Sequence, residues 1–173
     1  MRTLRKNLFW KIFLISLMLV LMFNQRQAVG QFFIPDNPLV HKVIPEFSLL
    51  TTSGKKKSLS EVRDGKSAVV FFWATWCPHC QDELKGLVRQ KENIEKQGIK
   101  IVLIDLGESA DLVKSYLKEN NIDFESFLDE DTSLAEKFHV SGVPTLFFVT
   151  QGGFVSGVKH SLPDDYARIL SLK

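Results

Sequence analysis

The chain has 173 residues, 45% hydrophobic and 24% charged, which suits one globular domain with a full core plus an appendage. Two cysteines exclude a disulfide-scaffolded fold, and a lone C-x-x-C closes too small a loop to stabilise much, so the pair reads as chemical rather than architectural. The formal charge of +2 belongs to the front of the chain: residues 1–30 carry Arg2, Arg5, Lys6, Lys11 and Arg26 and no acid, the remainder is net acidic, and no basic patch with interleaved aromatics points to nucleic acid.

From Leu8 to Phe23 the chain is apolar apart from Lys11 and Ser16. A basic start followed by a short apolar run reads residues 1–30 as a signal peptide or an N-terminal membrane anchor. Ala28 and Gly30 offer small residues for cleavage. Ile12–Phe23 is short of the roughly 20 residues of a bilayer span, and Leu8–Trp10 with a snorkelling Lys11 would extend it to an anchor. No Cys follows the run, which excludes a lipid-modified N-terminal cysteine. Residues 31–45, with Pro35, Pro38 and Pro45, read as a linker, and 46–173 as the domain.

"EFSLLTTSGKKKSLSEV" predicts a β-hairpin turning at Ser53-Gly54, with Lys55–Lys57 a solvated edge. "SAVVFFWAT" is a continuous apolar run, as in a strand buried on both faces. Pro78 suits the first turn of a helix that runs to about Gly98, with Leu84, Leu87, Val88 and Ile94 on its apolar side. "KIVLIDLG" is a second buried strand. "SADLVKSYLKENN" is a helix capped by Ser109 and ending near Asn120 or Asn121. A short strand in "FESFLDED" leads to a short helix, "TSLAEKFHV", capped by Asp131 or Thr132. "TLFFVT" and "FVSGVKH" form a hairpin around "QGG", and "LPDDYARILSL" closes the chain as a helix. Alternating strands and helices imply an α/β fold with a parallel core, to which the last hairpin adds antiparallel strands.

In "FFWATWCPHCQDEL" the first sulfur, Cys77, falls where the strand gives way to the helix, at the carboxyl edge of the sheet. Free N–H groups and the helix dipole there stabilise a thiolate, the reactive form of cysteine. Cys80, one turn further in, is placed to resolve a mixed disulfide. Structural zinc wants four ligands, and the four histidines (His41, His79, His139, His160) form no paired motif. Covalent haem needs C-x-x-C-H, but Gln81 follows Cys80. A metal-binding or copper-chaperone module is the competing class, and it would copurify with its metal.

"VVFFWATWCPHC" resembles the active-site stretch of the thioredoxin superfamily, and "SGVPTLFFV" resembles its second signature. The resemblance implies a thioredoxin-like fold, a central mixed β-sheet flanked by helices, and a cis Val143–Pro144 bond facing the cysteines. The initial hairpin, the helix-and-strand insertion over Asp105–Asp131, and Glu83 after the second cysteine are similar to the TlpA/ResA-like branch of exported thiol-disulfide oxidoreductases. Residues 42–172 carry the likeness. Phe71 stands where cytosolic thioredoxins have a buried Asp, so the resemblance passes proton acceptance from Cys80 to Glu83. Trp76, Val143 and Pro144 would form the docking surface for a substrate strand.

The Pro78-His79 dipeptide between the sulfurs resembles oxidising DsbA-type proteins, as does Val143. A nearby imidazole stabilises the Cys77 thiolate and makes the disulfide more oxidising. The span from Gln81 to Val143 is too short for the helical insertion of that class. The expectation is therefore an enzyme that exchanges disulfides with exported proteins, leaning to reduction or interchange, with a DsbA-like thiol oxidase as alternative. Apocytochrome c, a periplasmic isomerase or misoxidised envelope proteins fit as substrates. The site would need no cofactor beyond the Cys77–Cys80 disulfide, a membrane electron donor or acceptor would recycle it, and the protein would work as a monomer outside the cytoplasm. A peroxidase of related fold would place its cysteine in a different local motif.

Overall fold

The computed structural model describes residues 37–171; the leader (1–30) and the first part of the linker lie outside them. The described chain opens with β1 (Ser48–Leu50), β2 (Lys56–Ser58) and α1 (Leu59–Arg63). Then come β3 (Ser67–Trp73), α2 (Pro78–Lys96), β4 (Ile99–Leu106), α3 (Ala110–Glu119) and β5 (Ser126–Asp129). It ends with α4 (Ser133–Lys137), β6 (Thr145–Val149), β7 (Val155–Lys159) and α5 (Tyr166–Ser171). The main sheet has the order β5-β4-β3-β6-β7, with β3, β4 and β5 parallel and β6 and β7 antiparallel to their neighbours. This is the expected mixed α/β architecture. No helix among the described residues is long and apolar enough to cross a membrane.

β3 is the centre of the sheet because both its faces are apolar. Val69, Phe71 and Trp73 pack under α2, α3 and α5, and Ala68, Val70 and Phe72 pack under α1 and α4. The aromatic load concentrates on the second face. Phe47, Phe72, Phe127, Phe138 and Phe147 meet there, mostly edge to face, at centroid distances of 5.2–6.0 Å. Each such ring buried contributes roughly 1.5–3 kcal/mol relative to exposure.

Several elements differ from expectation for identifiable reasons. The second hairpin arm is shorter than expected: β2 stops at Ser58, which caps α1 through a capping box with Glu61, whose backbone N–H donates to Ser58 Oγ. On α2, Cys80, Leu84, Leu87 and Ile94 make the buried stripe, and Lys91 extends it with its Nζ 4.8 Å from the Phe124 ring. Val88 lies one step round the helix from that stripe and is 37% exposed. Neither proposed side chain alone caps α4. Thr132 occupies the cap position with φ 60° and makes no side-chain cap bond, whereas Asp131 accepts from the Ser133 N–H. The buried Asp129 accepts from the Leu134 and Ala135 N–H groups at 3.0 and 2.8 Å. α5 starts only at Tyr166: Leu162 donates its N–H to Glu83, the Tyr166 N–H closes a turn on the Pro163 carbonyl, and the Ile169 N–H bonds back to the Asp165 carbonyl. Residues 37–45, the far end of the expected linker, are tied to the domain. Val40 and Val43 bridge to Val155 and Phe154, and Asn37 donates to the carbonyls of Phe138 and His139.

Lys57 is not merely solvated: it forms an ion pair with Glu125, and Thr51 Oγ1 donates to the same carboxylate at 2.6 Å. These contacts fasten the hairpin to β5. Partial burial works against the charge, but hydrogen bonds from Lys57, Ser53 and Thr51 hold the Glu125 carboxyl down at about 2. A carboxyl depressed by folding contributes stability that is present above its unfolded value, about 4.3, and lost as the pH falls toward 2. Glu125→Gln should therefore be less stable than the parent at pH 6, with the gap closing between about pH 4 and 2, as read by urea unfolding at each pH.

Candidate active site

β3 ends at Trp73, whose indole Nε1 donates to Ser126 Oγ inside the core. Three residues then separate the strand from Cys77, the N-cap of α2. That short turn is held from three sides. The Cys77 N–H donates to the Ala74 carbonyl at 3.3 Å, and Gln81 Nε2 donates to the Thr75 carbonyl at 2.8 Å. The Thr75 N–H and hydroxyl both donate to Glu108, at 2.6 Å each. Pro78 follows as the first helical residue, where its missing N–H costs nothing.

Cys77 and Cys80 are joined as a disulfide, with Cα atoms 5.2 Å apart. The Cys80 N–H donates to Cys77 Sγ at 3.1 Å. One of the helix's free N–H groups thus already points at the atom that carries the charge after reduction. Cys77 is 4% exposed and Cys80 fully buried. Trp76, directly before the pair, is 67% exposed, an unusual setting for so large an apolar ring.

The Val143–Pro144 peptide is cis, and the Val143 carbonyl oxygen lies 3.7 Å from Cys77 Sγ. Pro144 reaches this position through the register of β6: Thr145 pairs antiparallel with Phe72, near the end of β3 from which the cysteine turn departs. Beside the sulfurs is an open cavity of about 470 Å³ lined by His79, Asp82, Glu83, Val143, Pro144 and His160, among others. His79 is exposed on the first turn of α2. Glu83 is half-buried, and its Oε2 accepts from the Leu162 N–H at 2.9 Å. Among the described residues no hydrogen bond joins Glu83 to either sulfur.

All eight residues singled out in the sequence (Trp76, Cys77, Pro78, His79, Cys80, Glu83, Val143 and Pro144) thus fall around one sheet edge. Three further residues belong to the same neighbourhood. Glu108 holds Thr75 from 33 positions away, and only the pairing of β3 with β4 reveals it. His160 stands at the far wall of the cavity, its Nδ1 2.8 Å from the Pro144 carbonyl, which assigns the ring proton to Nδ1. Asp105 is fully buried on β4 opposite Trp73. An acid in the middle of the apolar run "IVLIDL" was a visible signal for it.

Residues 40–158 match the AhpC/TSA family. Among curated proteins, the chain is 32% identical to the thiol-disulfide oxidoreductase ResA of Bacillus subtilis (strain 168), over 73% of each chain. Among solved structures, it is similar to a thiol:disulfide interchange protein of the thioredoxin family from Chlorobium tepidum TLS. That match has 30% identity and a TM-score of 0.61, covering 74% of this chain and 92% of the other. It is also similar to StoA from Bacillus subtilis, with 22% identity and a TM-score of 0.62, over 78% of this chain and 100% of that one.

The burial difference between the two sulfurs has a direct chemical consequence. After reduction, iodoacetamide should modify Cys77 faster than Cys80, on the order of tenfold or more, as read by peptide mass spectrometry over time. Equal rates would contradict the assignment of Cys77 as the outer thiol.

Proposed function

The chain belongs to the AhpC/TSA family and is a thiol-disulfide oxidoreductase of the thioredoxin superfamily, and on that premise we propose that it reduces or interchanges disulfides in exported proteins through Cys77 and Cys80. The observation that carries this is the Cys77–Cys80 disulfide at the start of α2, with an amide N–H aimed at Cys77 Sγ and the Val143 carbonyl beside it. The basic, apolar leader in residues 1–30 supports an exported protein, cleaved or anchored.

In the reductive direction the Cys77 thiolate attacks one sulfur of the substrate disulfide. That S–S bond breaks, its other sulfur leaves as a thiolate that takes a proton, and a mixed disulfide forms. Cys80 then gives its proton to Glu83, directly or through water, and attacks Cys77 Sγ. The mixed disulfide breaks, the second substrate thiol is released, and two electrons have passed to the substrate. A membrane electron donor would restore the dithiol. Trp76, Val143 and Pro144 offer the apolar surface on which an extended substrate segment docks, with the Val143 backbone in reach of its main chain. Apocytochrome c awaiting haem attachment is one substrate that suits this reductive role.

His79 supports a second direction, in which the same steps run backwards and the protein acts as a thiol oxidase. An imidazole at the first turn stabilises the Cys77 thiolate, hence the reduced form, and raises the potential of the disulfide. The reduction potential of the Cys77–Cys80 couple decides between the two.

Cys80→Ser should accumulate a reductant-sensitive covalent adduct with substrate protein, seen on non-reducing gels, while Cys77→Ser traps nothing and turns over no insulin disulfide. Absence of any adduct would remove Cys80 as the resolving thiol. His79→Ala should lower the potential by on the order of 30 mV, about tenfold in the exchange equilibrium, measured against glutathione.

A further inference from the structure

Asp105 stands outside the exchange chemistry, yet its setting is costly. The side chain is 0% exposed, and among the described residues neither oxygen has a hydrogen-bond partner. A buried carboxylate so poorly supplied with donors is unfavourable, and such a group takes up a proton instead. The neighbour able to use that proton is Glu108, three positions on. Both Glu108 oxygens already accept, one from the Thr75 N–H and one from the Thr75 hydroxyl. A protonated Asp105 would donate to that carboxylate, completing a chain from the buried acid through Glu108 to the turn that carries Trp76 and Cys77.

The Glu108 backbone N–H favours the ionised form of Asp105, but burial and the charges of Glu108 and Asp129 oppose it. On β5, Asp129 is itself acidic and already accepts from two backbone N–H groups. On the helical face, Tyr116 of α3 packs against the Trp73 ring at 5.7 Å, and Asp82 of α2 is the charge that acts on that phenol. Burial first, and then the adjacent Glu108, push the Asp105 carboxyl up to about 8.

We propose that Asp105 is a positioning residue: it holds a proton at neutral pH and lends it to Glu108, and loss of that proton loosens the grip of Glu108 on Thr75. Two like charges in one buried site cannot both persist without rearrangement. The turn before Cys77 is therefore firmly held when Asp105 is protonated and freer when it is ionised. The inference builds on the proposed role of Cys77 but is tested apart from it, in the disulfide form, where no thiol titrates.

The experiment follows the Thr75 amide by NMR from pH 6 to 9 in the oxidised protein, for the parent and for Asp105→Asn. Asn keeps the size and a donor for Glu108 but cannot titrate. The expected result is a Thr75 shift that titrates above pH 7 in the parent and stays flat in the variant. A parent amide that does not move, or a variant that moves equally, overturns the proposal. The second arm measures the rate of reduction of the Cys77–Cys80 disulfide by dithiothreitol. The ratio of parent to variant should rise several-fold between pH 7 and 9, and a constant ratio overturns the proposal. Thr75 titration without any turnover of protein disulfides supports this inference while sinking the proposed function.

Discussion

A helix begins with N–H groups that its own backbone cannot satisfy, and here a sulfur takes one of them. The Cys80 N–H meets Cys77 Sγ, and the strand and turn before it keep that sulfur in place. The strand before it is buried on both faces. The turn between strand and helix is only three residues long and is gripped by Glu108 and Gln81. The sulfur is therefore located by the core rather than by a loop. That rigidity suits a reaction in which a partner protein must align its own sulfur with a nearly buried one.

The mixed sheet explains how residues so far apart in sequence converge. The parallel strands β3, β4 and β5 deliver the cysteine turn, Glu108 and the end of β5 to one edge. β6 runs the other way, so it is its beginning, Pro144 and Thr145, that reaches the same edge. One antiparallel strand in an otherwise parallel core thus sets a proline peptide opposite a helix N-terminus, and the cavity between them is a by-product of that arrangement.

The central strand, the cysteine helix and the order of elements were legible because each rests on local pattern: a continuous apolar run, a proline at the first helical position, apolar residues three and four apart. The cis bond before Pro144 was legible only through resemblance, since nothing local distinguishes Val-Pro here from a trans pair. Helix α1 was missed although "SLSE" spells out its capping box, because the hairpin pattern before it claimed the same residues. Val88 was misplaced by a single step of helical rotation. The capping of α4 by Asp129 and the clamp of Glu108 on Thr75 depend on where backbone N–H groups lie after folding, which no spacing rule encodes. His160 joins the cavity only because β7 pairs with β6.

The division of aromatic residues between the two faces has an optical consequence. The chain has three tryptophans, Trp10, Trp73 and Trp76, and the two within the described residues both lie just before the reactive pair. The opposite face is a cluster of phenylalanines, which contribute almost nothing to emission excited at long wavelength. Indole fluorescence from Trp73 and Trp76 is thus a reporter of the sulfur-bearing half alone. Loosening of the phenylalanine face would pass unseen until it reached the sheet.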